Sequence, residues 1–452
     1  MLDSPDAVMA ALHENDSRPY GRTRTVTAEE LVDAAEQFED TGVRSMALLE
    51  LMEAYEYDGE RNKTPVVFAR ILKLWDKDPD GFGEWARHQV FWRFKWVAAA
   101  LRENPDVPLT AIERWHTELR DRYRAAGFGL QPYYAERYHL ACLTGTGVQD
   151  AYELWAARPR SELSDCHACE TRARARHHLD LGDDARALEV LAPVLSSRST
   201  CELEPYHSQS VALLPLLRQG RPDEARSGHL TGYRFARGKS SMLGSVGRHI
   251  EFCALSGNEP RGLELLAENR DLFAVTGEAA ARLDFLTGVE VLIAVLARAG
   301  HGELVVSGPA GTTWTVDTLL AHLRTEADAL AARFDARNGT CLLYKTASHP
   351  PRAGRSSPSR RTSPPWCSGP ASWRCSGTRT PTGSGSGSPS APAPRTSSTP
   401  RAPRSAVPNG CAPNSPSSAR TRHCSGTRTP RARPGCWPPP SCSRRPGCPG
   451  RR

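Results

Sequence analysis

The last quarter of the chain contains almost nothing from which a core is built. From Ala347 to Arg452 there is no Leu, Ile, Met, Phe or Tyr, and no Asp, Glu or Lys. Val407 is the segment's one aliphatic β-branched residue. What fills these 106 residues is 22 Pro, 21 Ser, 18 Arg, 11 Gly, 9 Thr and 7 Cys. Such a composition cannot bury enough apolar surface to offset chain entropy, so residues 341–452 read as a disordered Arg/Pro/Ser-rich tail. Other absences bound the rest. No apolar run reaches 18 residues, which excludes a membrane span. The N-terminus, MLDSPDAVMAALHEND, has neither a basic n-region nor an apolar h-region, so no secretory leader is expected. Cysteine is scattered before residue 347 (Cys142, Cys166, Cys169, Cys201, Cys253, Cys341), and without a leader these read as reduced thiols in a cytoplasmic protein.

Charge is divided in the same place. The chain carries 58 Lys+Arg against 51 Asp+Glu, a formal +7. The 18 tail arginines have no acidic neighbours, so the first 346 residues hold 40 basic and 51 acidic side chains, a net of −11. The pI of 8.8 therefore describes neither part. Nucleic acid is not an expected partner of the body; only the basic tail, if genuine, would neutralise phosphates.

The body is rich in helix signals and nearly free of strand signals. Thr27-Ala28-Glu29-Glu30 has the capping-box pattern, and a helix is expected from there to about Glu39, before Gly42. Thr64-Pro65 precedes a helix in which Phe68, Ile71, Leu72 and Trp75 follow i, i+3, i+4, i+7 spacing. Roughly fifteen helices are expected, joined by short breaks. One arrangement recurs: an apolar helix ends in Gly, a short polar link follows, and the next helix opens with a small residue. The clearest glycines are Gly182, Gly220 and Gly257, each followed five residues on by Ala187, Ala225 or Gly262. Weaker copies carry Gly145 with Ala151, Gly300, Gly42 with Ala47, and Gly59 with Thr64. Glycine takes the left-handed conformation that ends the first helix, and the small residue lets the second approach it.

This recurrence resembles the tetratricopeptide repeat, well over Ala135 to Gly300 and loosely over Thr27 to Gly127. The body is also similar to helical-repeat proteins of actinobacteria. The resemblance implies an all-α, helix–turn–helix repeat solenoid and no particular activity. The Trp, Leu-Gly, Tyr and Pro positions of the full signature are not met in any unit, and the glycine spacing is longer than the family's, so HEAT-like or irregular helical pairs stay open as alternatives. The expected organisation is irregular helical repeats over 1–130, TPR-like repeats over 131–302, a β-hairpin near 304–315 with a capping helix over 303–340, and the tail. The capping helix, Val316 to Arg337, places Leu319, Leu320, Leu323, Ala327, Leu330, Ala331 and Phe334 on one face.

The tail reads as out-of-frame translation beginning near residue 340. Cys-Ser-Gly-Thr-Arg-Thr-Pro occurs at Cys375–Pro381 and again at Cys424–Pro430. Written as TGC TCC GGG ACG CGG ACC CC and read from the third base, it gives Leu-Arg-Asp-Ala-Asp-Pro. That peptide resembles Leu74-Trp75-Asp76-Lys77-Asp78-Pro79 of the body. Translation of the gene's other frames tests this reading.

Chemical motifs are sparse. Cys166-His167-Ala168-Cys169 with His177-His178 has thiol and imidazole groups suited to zinc. It lacks a second Cys-x2-Cys or a spaced His pair, so Cys166 and Cys169 are expected on one helix face, packing as small hydrophobes. His178-Leu179-Asp180 has the order of an iron-oxygenase ligand pair but no strands around it. Ser307 to Thr313 follows two valines like a phosphate loop but has no Lys, and reads as a hairpin turn. No catalytic residue, cofactor site or metal ligand is assigned. Phe91, Trp92, Arg93, Phe94, Lys95 and Trp96 mix aromatics with cations, with Trp85, His88, Trp92 and Trp96 along one face. Trp85, Trp92, Trp96, Trp115, Tyr133 and Tyr134 are the candidates for lining a concave partner-binding groove. The expected function is non-catalytic binding of a protein or peptide. The alternatives are a regulatory repeat component of a signalling or transcription system, and an enzyme with an unrecognised site.

Overall fold

The protein is described by a computed structural model over residues 2–340; the readings placed on 341–452 lie outside the described residues. Sixteen α-helices follow one another, in pairs. They are α1 (Pro5–Asp16) with α2 (Arg22–Ala35), α3 (Thr41–Tyr57) with α4 (Thr64–Lys77), α5 (Glu84–Glu103) with α6 (Leu109–Ala125), and α7 (Gln131–Thr144) with α8 (Val148–Ala156). Next come α9 (His167–Asp180) with α10 (Asp184–Leu195), α11 (Tyr206–Arg218) with α12 (Pro222–Ala236), α13 (Leu243–Leu255) with α14 (Glu259–Glu268), and α15 (Ala279–Arg298) with α16 (Val316–Asn338). Between the last two, β1 (Val305–Val306) pairs antiparallel with β2 (Trp314–Thr315), as the hairpin pattern predicts.

The fold is an all-α helical repeat, and its layering repeats within two runs of helices. The first helices of the pairs pack on one another: α1 on α3, α3 on α5, α5 on α7, then α9 on α11, α11 on α13 and α13 on α15. The Gln131 side-chain amide of α7 donates to Glu170 of α9 at 2.8 Å, joining the two runs. Second helices lean mainly on their own partners and the helix that follows, and so form the outer layer. The helix ends obey the predicted stereochemistry. Gly145, Gly182, Gly220, Gly257 and Gly300 all have φ between 68° and 86°. Ala187 and Ala225 are fully buried, and a methyl added to Gly262 would lie 2.8 Å from Leu292 Cδ1.

Local departures have physical causes. The Thr27 capping box does not form: α2 begins five residues earlier, at Arg22, and the Thr27 hydroxyl instead accepts from Arg18 Nη1 at 3.0 Å. Gly42 does not end a helix; it sits in the first turn of α3, which Asp40 caps through the Val43 amide at 2.9 Å.

The last helix reaches back to the α5–α7 region. Arg333 of α16 reaches both carboxylate oxygens of Asp106, at 2.6 and 2.7 Å. Arg337 donates to the carbonyls of Arg102 (2.9 Å) and Asn104 (2.8 Å), and Asn338 to that of Leu143 (3.1 Å). The Asn62 amide donates to the Gly277 carbonyl at 3.3 Å. A cavity of about 340 Å³ remains at this seam, lined by Arg61, Glu103, Glu278 and Arg282 among others.

Candidate functional site

The inner-layer helices carry a set of charged and imidazole side chains. On α9 are Arg172 and Arg176, on α11 His207, on α13 Arg248, on α7 His139, and on α5 Arg102 and Glu103. Burial, and after it the fields of Arg172, Arg248, Arg61 and Arg176, push His207 well below the usual imidazole range. Burial together with Arg102, Arg172 and Arg176 does the same at His139. Both rings are neutral at pH 7. The fields of Arg172 and Arg176 act on both histidines, which lie on different helices. Several are held by carboxylates: Arg172 by Glu204 (2.5 Å), Arg61 by Glu103 (2.7 Å), Arg102 by Glu136 and Arg248 by Asp284. Arg176 is exposed and makes no ion pair among the described residues.

All six residues of the predicted aromatic set are half-buried, on α5, α6 and α7. Trp115 stacks on Phe94, centroids 5.2 Å apart, and its indole N–H donates to the Phe94 carbonyl at 3.1 Å. Trp96 meets Tyr57 edge-on at 6.3 Å and lies under the Arg93 guanidinium at 4.7 Å. Trp92 lies under Lys95 Nζ at 3.3 Å. Tyr133 meets Tyr134 edge-on at 5.0 Å, and Arg158 covers Tyr134 at 3.3 Å. Trp85, Trp92, Trp96, Trp115 and Tyr133 pack against the N-terminal core, Tyr134 against a small cluster around Tyr138 and Trp155. These rings are already engaged within the protein.

Near Lys95 is a group of which sequence reasoning saw only two members. Cys166 is the N-cap of α9, its sulfur accepting from the Cys169 amide at 3.2 Å. Cys169 lies one turn on, and its sulfur is 3.7 Å from that of Cys201, on the loop after α10. All three sulfurs lie within 4.8 Å of one another. The expectation that Cys166 and Cys169 pack as small hydrophobes is corrected: both are half-buried, Cys166 stands outside the helix, and neither joins a hydrophobic core. His177 and His178, the proposed companions, are at the other end of α9, where His177 stacks on Tyr152 at 3.7 Å. The companion is Cys201. Its one signal in the sequence was its setting, in the polar run Ser196-Ser197-Arg198-Ser199-Thr200 rather than on an apolar helix face.

The loop that carries Cys201 is pinned. Glu204, fully buried, accepts from Arg172 Nε and from the Ser208 amide at 2.9 Å. Hydrogen bonds from the Cys166 and Cys169 thiols hold Cys201 below the ordinary thiol range, so it is the first of the three to ionise. Lys95 stands close by: Nζ is 4.0 Å from Asp165 Oδ1, whose other contact is the Cys166 amide at 2.9 Å. Lys95 Nζ is buried without a hydrogen-bond partner, and burial lowers its pKa.

The remaining motifs are structural. His178 and Asp180 occupy the last turn of α9. Residues 307–313 form the hairpin turn, where Trp314 Nε1 donates to the Pro309 carbonyl at 2.9 Å and Arg270 Nε to that of Gly308 at 3.0 Å. No protein-family model matches the chain, and no curated protein matches it. No described helix is long and apolar enough to cross a membrane.

Proposed function

We propose that the protein is a non-catalytic, TPR-like binding module of the cytoplasm whose inner layer holds a segment of a partner protein that carries carboxylates. The observation that carries this reading is the cluster of basic residues on the inner-layer helices: Arg172 and Arg176 of α9 and Arg248 of α13 stand beside His207 of α11, and Arg172 and Arg176 also beside His139 of α7. A planar guanidinium recognises a carboxylate in bidentate fashion, and Arg176 is exposed with no ion pair among the described residues. Glu204, fully buried, and Asp284 orient Arg172 and Arg248. The aromatic set Trp85, Trp92, Trp96, Trp115, Tyr133 and Tyr134 supports one wall of the groove, its rings held by packing.

Fluorescence anisotropy with a labelled Glu/Asp-rich peptide tests this on the full chain. The tail is the same in every variant, so differences between variants report the inner layer. R176E is expected to weaken binding about tenfold, the scale of a lost charge-assisted pair, and R333E, on α16 at the seam, to change it little. Equal affinity for wild type and R176E overturns the reading.

A further inference from the structure

We propose that Cys166, Cys169 and Cys201 form a three-thiolate site for a thiophilic ion of the zinc class, with solvent in the fourth position. The argument is geometric. In a tetrahedral zinc site each Zn–S bond is about 2.3 Å, so neighbouring sulfurs stand about 3.8 Å apart. The Cys169–Cys201 separation is 3.7 Å, and no pair of the three exceeds 4.8 Å. A disulfide requires about 2.05 Å, and pairing any two would leave the third unsatisfied. The three sulfurs therefore have the spacing of ligands to a common centre.

The surroundings fit the same chemistry. Cys-x2-Cys at a helix start gives two sulfurs on one side of a turn, and the Cys169 amide already donates to Cys166 at 3.2 Å, an arrangement that stabilises a thiolate. The third sulfur comes from a loop fixed by a fully buried carboxylate, so it need not be ordered when the ion binds. Three thiolates around a divalent ion leave a net charge of −1. A cation is waiting for it: the Lys95 ammonium, 6 % exposed and without a hydrogen-bond partner, is bridged to the Cys166 amide by Asp165. His167, the nearest imidazole in sequence, is engaged through Nδ1 with Ser199 Oγ at 3.2 Å, and among the described residues no fourth protein ligand completes the set. On binding, the ion replaces the thiol protons, which pass to solvent. The all-thiolate donor set selects soft or borderline ions over magnesium or calcium.

The test uses the full chain, kept reduced, with Zn2+ alone as the probe. It is alkylated with N-ethylmaleimide in the presence and absence of Zn2+, and each cysteine is followed by peptide mass spectrometry. Zn2+ is expected to protect Cys166, Cys169 and Cys201 together while leaving Cys142 and Cys253 unchanged. Co2+ is expected to give the absorption of tetrahedral thiolate coordination, which C201S abolishes and C253S keeps. Equal alkylation with and without Zn2+, or protection confined to the cysteines after residue 346, overturns the proposal. Should C201S fail to fold, the alkylation pattern of the wild-type chain still decides.

Discussion

The N-terminal and central parts of the solenoid share one layering and reach it by different means. In the central part, from α9 to α15, the core is aliphatic, built from residues such as Leu213, Val246, Ile250, Leu265 and Leu292. Helices there approach closely through small residues. At the crossing of α13 and α15, a methyl on Gly247 would lie 2.7 Å from Phe285 Cα, and Gly288 packs directly against the Gly247 backbone. In the N-terminal part an aromatic cluster is set into the aliphatic core: Phe68, Phe91, Phe94 and Tyr123 interlock with Trp75 and Trp115. Beneath them runs a buried ionic network. Arg24 makes two 2.8 Å hydrogen bonds with Glu50 and one of 2.9 Å with Asp16, while Arg93 pairs with Glu53 at 2.8 Å. Aliphatic interdigitation tolerates a short repeating unit with a small residue at a fixed place. A network of arginines and glutamates fixes helix order with residues that leave no periodic trace.

This difference explains what could be read from the sequence. The glycine-to-small-residue spacing was legible from Gly182 onward because it rests on backbone conformation and steric room, both local properties. In the N-terminal part the same spacing failed at Gly42, and the Thr27 capping box failed because Arg18 and Arg24 extend order upstream through long-range bonds to Thr27 and Glu50. Helices and hairpin were legible; the contact of α16 with the α5–α7 region was not. Arg333 and Asp106 are 227 residues apart, and nothing in either segment announces the pairing. The aromatic set was placed on the correct helices, but ring partners such as Tyr57 for Trp96 come from other repeats. The thiol site was half legible, as Cys-x2-Cys, and its third member was hidden one repeat later.

The contrast can be broken at several points. The largest effect is expected from R24M, which strands the Glu50 carboxylate in the interior of the N-terminal part. Removing one partner of a buried pair costs about 3–5 kcal/mol, to be read from the urea midpoint; a loss under 1 kcal/mol would show that the network is not what fixes that part. G247A tests the central part by overpacking the α13–α15 crossing. A loss of about 1–3 kcal/mol is expected, and a neutral outcome would remove close helix approach from the account.

The seam between the two parts is tested by pH. Glu278 is buried, its Oε1 has no partner, and desolvation first, then Glu56 and Glu103, push its pKa to about 7, against the opposing field of Arg61. A carboxyl whose folded pKa lies above its unfolded value favours folding when protonated. Its stabilising effect is complete below the unfolded value near 4.5 and is lost as pH rises through about 7. E278Q should therefore be more stable than wild type at pH 8 and flatter between pH 4.5 and 7, as thermal melts would record. A wild-type and variant pair with parallel pH profiles would contradict this. The smallest effect is expected at Gly182, whose φ of 78° is left-handed. G182A should cost about 1 kcal/mol without changing helicity, a local penalty that the N-terminal network would not share.

The most direct test of the inner layer as a binding surface is photo-crosslinking of an acidic peptide to the full chain, with the adducts mapped by mass spectrometry. Adducts on α9, α11 and α13, around Arg172, His207 and Arg248, and their loss when excess unlabelled peptide is added, are the predicted result. Adducts confined to the arginines after residue 346, or to the outer helices α10, α12 and α14, would contradict it.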